Sequence, residues 1–138
     1  MVRDDLSVRR RLAAAALLAS AALGAAVVAR AVRRPEEPGA VVARFFAAVE
    51  RRDCDAAKKL VAGELGRSLA RPDGCQAFFD EYASHRVKFG GALAARADGR
   101  DANARIVDAR ISMNDHERTQ LLRVERARAD SAWRMTRF

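Results

Sequence analysis

Apolar positions follow three successive patterns along the chain, and the changes between them divide the sequence. The first is a continuous run. Leu12 and Ala29 bound eighteen residues without a charge, set between Arg9-Arg10-Arg11 and Arg30. As a helix this run is about 27 Å long at roughly 1.5 Å per residue, close to the hydrocarbon thickness of a bilayer. Residues 32–39 break it with Pro35, Pro38 and Gly39 among charges and read as a linker. Helical spacing comes next. Val41, Val42, Phe45, Phe46 and Val49 share one face and predict a helix over 40–52. Asp53 caps a second helix over 54–62, with Ala56, Ala57, Leu60 and Val61 inward. Gly63 and Gly66 bound a break, after which Leu65 and Leu69 prolong an irregular helix. Arg71-Pro72-Asp73-Gly74 is a turn, and residues 75–85 form a third helix with Phe78, Phe79 and Tyr82 on its apolar side.

From Arg86 the period falls to two. Residues 86–97, 101–113, 117–128 and 133–138 read as four strands, separated by turns at Asp98-Gly99, Asn114-Asp115 and Asp130-Ser131. Gly90-Gly91 marks a bend or bulge. In the second strand Ala102, Ala104 and Ile106 give way to Val107, Ala109, Ile111 and Met113, a phase slip of the kind a bulge produces. Helices segregated from an antiparallel meander define an α+β domain: three N-terminal helices on a curved four-stranded sheet, preceded by one apolar helix. The organisation is a basic region over 1–11, an apolar segment over 12–31, a linker over 32–39 and a domain over 40–138.

Compartment depends on the apolar segment. A signal anchor and a cleaved signal peptide both fit it, because Ala19-Ser20-Ala21 and Gly24-Ala25-Ala26 offer small residues to a peptidase. A buried Ala-rich helix is the third reading, since ten of the eighteen residues are Ala. The tighter basic cluster lies N-terminal, which places the N-terminus inside and the domain outside the cytoplasm. The expected location is the cell membrane, single-pass, or the secreted or periplasmic space after cleavage. Cys54 and Cys75 are the only cysteines. In an exported domain they suggest a disulfide; two buried thiols or half of a metal site are the other readings.

Net charge is +8, and arginines outnumber lysines by 23 to 3. The charge is mixed along the domain and the chain holds one Trp and one Tyr, so a dense basic stripe with aromatic platforms is absent and nucleic acid is not an expected partner. Arg105, Arg110, Arg123, Arg126, Arg128, Arg134 and Arg137 fall in predicted strands. They form either a basic patch for anionic headgroups or a solvated face paired to Glu117 and Glu125.

Three stretches carry a family resemblance. Phe45-Phe46-Ala47-Ala48-Val49 opens a first helix, Arg52-Asp53-Cys54-Asp55-Ala56-Ala57-Lys58-Lys59-Leu60 forms a helix-to-helix step, and Ser131-Ala132-Trp133-Arg134-Met135 enters a final strand. Over 40–138 this resembles the NTF2-like superfamily, nearest to small exported or membrane-anchored bacterial domains. The resemblance implies a curved sheet wrapped over a long helix with a cone-shaped pocket between. Some secretion-apparatus proteins share the layout of one membrane helix and an NTF2-like periplasmic domain. Enzymes of this fold place polar groups inside the cone; Asp80, Glu81, Tyr82, His85 and Asp108 are the candidates here, and none matches a catalytic motif.

Asp80, Tyr82 and His85 lie within two helical turns, as an acid–base pair requires, but a helix end with a core tyrosine is the preferred reading of them. His116 reads as a turn residue. No catalytic residue, metal ligand set or cofactor is expected. Phe45, Phe78, Tyr82, Val124 and Trp133 are the expected lining of an apolar pocket. The expected function is a membrane-tethered, extracytoplasmic, non-catalytic module that binds a partner protein or small apolar ligand. A small hydrolase, isomerase or dehydratase is the alternative, as is a structural subunit or homodimer docking through the sheet.

Overall fold

The computed structural model describes residues 36–138. The expected apolar helix, its flanking basic region and the beginning of the linker lie outside the described residues. Among the described residues no helix is long and apolar enough to cross a membrane.

Four helices precede four strands: α1 (Pro38–Glu50), α2 (Cys54–Lys59), α3 (Gly63–Ala70), α4 (Gly74–Ser84), β1 (Lys88–Asp98), β2 (Asp101–Met113), β3 (His116–Glu125) and β4 (Arg134–Arg137). Proline at the first position starts α1 without losing a helical hydrogen bond. Its apolar stripe, Val41, Val42, Phe45, Phe46 and Val49, is buried. Asp53 caps α2 as expected, its carboxylate accepting from the Ala56 amide at 3.0 Å.

The helical layer has four members where the periodicity predicted three. Residues 63–70 form a full helix that buries Leu65 and Leu69. Two glycines lower its propensity, and packing overrides them. Gly63 holds φ +59 at its start, and a Cβ there would meet Thr136 at 3.2 Å. Glycine is therefore what lets the chain turn so close to β4. Gly74 plays a related part at the start of α4, where a Cβ would lie 2.2 Å from the Ser68 carbonyl oxygen.

The sheet is antiparallel in the order β1-β2-β3-β4. Register shifts in the β1–β2 pair fall at Gly90 and Leu93, each an extra residue on β1, and beside the turn between Ala97 and Asp98, where the extra residues are 102–104 of β2. No bulge falls at the phase slip between Ile106 and Val107: β2 pairs one-to-one with β3 from Ala104 to Met113. The apparent phase slip has another cause. Ile106 pairs with Arg123 and faces outward, beside the exposed Leu121, while Val107, Ala109 and Ile111 face the helices. Bulges on edge strand β1 also disrupt its free edge as a template for another chain. The β4 edge is partly covered by the segment after α2: the Ala62 amide donates to the Met135 carbonyl at 2.8 Å, and the Met135 amide to the Leu60 carbonyl at 2.9 Å. The third expected strand is shorter than its pattern, ending at Glu125 rather than 128.

Helices and sheet enclose a core dominated by Phe45, Phe46, Leu69, Ile111, Leu122 and Met135. Cys54 and Cys75 are joined, S–S 2.02 Å, and tie the start of α2 to the start of α4. The two-thiol and metal readings are thereby excluded.

Candidate functional site

Phe78 and Tyr82 are four residues apart on α4 and share one of its faces. Beyond them the chain reverses: the Val87 amide donates to the Tyr82 carbonyl at 3.1 Å, and the Asn114 amide to the His85 carbonyl at 2.9 Å. These bonds dock the β2–β3 turn on the end of α4 and set Met113 beside Tyr82. Phe138 completes the wall, its ring 6.0 Å from Phe78 and 5.6 Å from Phe46. The result is a hollow of about 140 Å³ lined by Phe78, Tyr82, Val87, Met113 and Phe138, with Glu81 and His85 also contributing. A comparably sized apolar cavity, about 150 Å³, admits a benzene-sized molecule.

The hydroxyl of Tyr82 is buried and has no hydrogen-bond partner among the described residues. Burial, reinforced by the negative charge of Glu50, pushes its pKa up to about 12. Tyr82 is the chain's one tyrosine, so phenolate absorbance reports it alone. That absorbance is expected to appear near pH 12 in the folded protein and near pH 10 once unfolded. The sign follows: the folded state holds the proton more tightly, so this contribution to stability is complete below pH 10 and is lost as pH rises towards 12. A native titration midpoint near 10 would contradict the buried hydroxyl.

The other sequence candidates are placed elsewhere. Phe45 and Val124 are fully buried in the core. Trp133 is buried towards the opposite end of the sheet, with the Arg105 and Arg126 guanidinium carbons 5.5 and 4.6 Å from its ring. Asp80 bonds Arg52 and Gln76, both at 2.9 Å, and is not part of the hollow. The Arg52 hydrogen bond, helped by Gln76, holds the Asp80 carboxyl below the usual carboxylate range. Asp108 pairs with Arg96 on the outer face of the sheet. Thus Asp80 and His85 are not assembled as a pair, while Phe78 and Tyr82 meet.

Val87, Met113 and Phe138 were not singled out from sequence. Met113 carries a signal, being the last inward position of β2. Phe138 follows the last strand, and only the fold brings it to α4. Among the described residues no group of three or more His, Cys, Asp or Glu could hold a metal ion.

No family model matches the chain, and no curated protein matches it. The chain is similar to a solved NTF2-like protein. That protein, from Cytophaga hutchinsonii ATCC 33406, is described as being of unknown function. Identity is 14%, the likeness covers 78% of this chain and 95% of that one, and the TM-score is 0.41. The α+β architecture stands on this chain's own elements: helices first, then an antiparallel sheet with its core against them.

Proposed function

We propose that the domain is a non-catalytic binding module, held outside the cytoplasm by residues 12–29, and that its end hollow receives one ring-sized apolar group. That group belongs to a small ligand or to a side chain of a partner protein. The observation that carries this reading is the apolar lining of the hollow by Phe78, Tyr82, Val87, Met113 and Phe138. An apolar pocket with few polar groups is the usual form of a ligand site. The cross-link between Cys54 and Cys75 supports an oxidising compartment, where such bonds persist.

Two methionines make the test internal. Met113 lines the hollow, while Met135 is fully buried in the core. With methyl-labelled methionine, titration of the full chain with phenol is expected to shift the Met113 resonance saturably and leave Met135 in place. No shift at Met113, or equal shifts at both, would count against the hollow as a binding site.

A further inference from the structure

The carboxylates of the sheet strands are paired in place. Arg96 pairs with Asp108, Arg110 with Glu117, and Arg123 with Asp98 and Glu125. One group of unpaired cations lies where α2 and the start of β4 meet the surface. Arg51 and Lys59 line one shallow hollow, Lys58, Lys59 and Arg134 line a second, and Arg126 and Arg134 line a third. Lys59 and Arg134 are shared, so the three form one continuous surface. None of these five cations has a carboxylate partner within salt-bridge distance among the described residues. Arg44–Glu36 and Arg123–Glu125 are matched pairs at its margins. The carboxylates left there are Asp53 and Asp55, so five cations against two acids leave a local charge of +3.

We propose that this surface docks on the anionic headgroups of a phospholipid bilayer. The proposal rests on the tether reading given above, because the tether supplies the bilayer. Eight residues, 30–37, connect the apolar run to α1 and span up to about 28 Å when extended. The thirteen residues of α1 extend only about 20 Å, so the connection is long enough for the Arg51 end of the domain to reach the headgroups. Neighbouring cations on this surface act together over a Debye length of about 8 Å at physiological salt. Lys58 and Lys59 present compact charges on flexible stems, suited to phosphate groups that are not fixed in position.

The chain contains three lysines, and Lys58 and Lys59 lie on this surface. Lys88, at the exposed start of β1, serves as reference. The full chain is incorporated into vesicles of phosphatidylcholine alone or mixed with phosphatidylglycerol, and its lysines are labelled with an amine-reactive ester. Relative to Lys88, Lys58 and Lys59 are expected to react about fivefold more slowly on the anionic vesicles, an effect abolished by high salt. Equal reactivity on both vesicles, or equal protection of Lys88, would overturn the proposal. So would protection by soluble polyglutamate with none from lipid, which would assign the surface to an acidic protein. Flotation separates the two readings. A chain that fails to float with neutral vesicles defeats the tether, and selective protection on anionic vesicles would then uphold the surface alone.

Discussion

Replacing both Cys54 and Cys75 with alanine is expected to lower the free energy of unfolding by about 3 kcal/mol. The cross-link joins positions separated by 21 residues, and its chief effect is to restrict the unfolded chain. For a domain of about 100 residues this corresponds to a melting temperature lower by about 12–24 °C. It also sets the start of α2 against the start of α4, the helix that carries Phe78 and Tyr82. The variant should therefore lose stability and, on partial heating, lose the fixed environment of Met113 before that of Met135. Thermal unfolding of the oxidised, reduced and doubly substituted chains checks this. A loss below about 1 kcal/mol in the reduced and substituted forms would mean that the cross-link hardly constrains the unfolded ensemble.

The second large effect is expected at Phe46. Its ring stacks on Phe89 at 4.7 Å, meets Phe45 and Phe138 at 5.6 Å, and lies 6.1 Å from Tyr82. It therefore joins α1, α4, β1 and the end of the chain. Phe46→Ala leaves a cavity among these rings and is expected to cost about 3–5 kcal/mol. Phe46→Leu keeps much of the volume and should cost about 1–2 kcal/mol, which keeps the comparison measurable if the alanine variant does not fold. Leu121→Ala, at an exposed position on the outer face, should stay within about 0.5 kcal/mol. Urea denaturation of the three variants ranks them. Similar losses at Phe46 and Leu121 would refute the assignment of the two faces of the structure.

Much of this was legible in the sequence for a local reason: period 3.6 and period 2 record which face of an element is buried. That is why the stripe from Val41 to Val49 and the alternation of Leu122 with Val124 read correctly. Asp53 was legible because a cap is a bond between near neighbours, and the cysteine pair because the chain has two cysteines. The fourth helix was obscured by Gly63 and Gly66, whose low propensity is offset by tertiary burial of Leu65 and Leu69. Ile106 mimicked a bulge because it is an apolar residue on the outer face, and such residues are tolerated singly. The candidate site was half legible. Phe78 and Tyr82 announced themselves by helical spacing. Phe138 did not, since its contact with Phe78 joins segments sixty residues apart. Trp133 looked like pocket lining until the two arginines over its ring placed it elsewhere.

An oxidised binding domain held at a membrane is the proposed state of the chain. Fractionation of cells expressing the full chain, followed by intact-mass analysis with free thiols alkylated beforehand, tests it most directly. The expected result is an intact chain in the membrane fraction, unalkylated and lighter than its reduced form by the hydrogens lost in oxidation. A soluble, full-length chain alkylated at both Cys54 and Cys75 would contradict it.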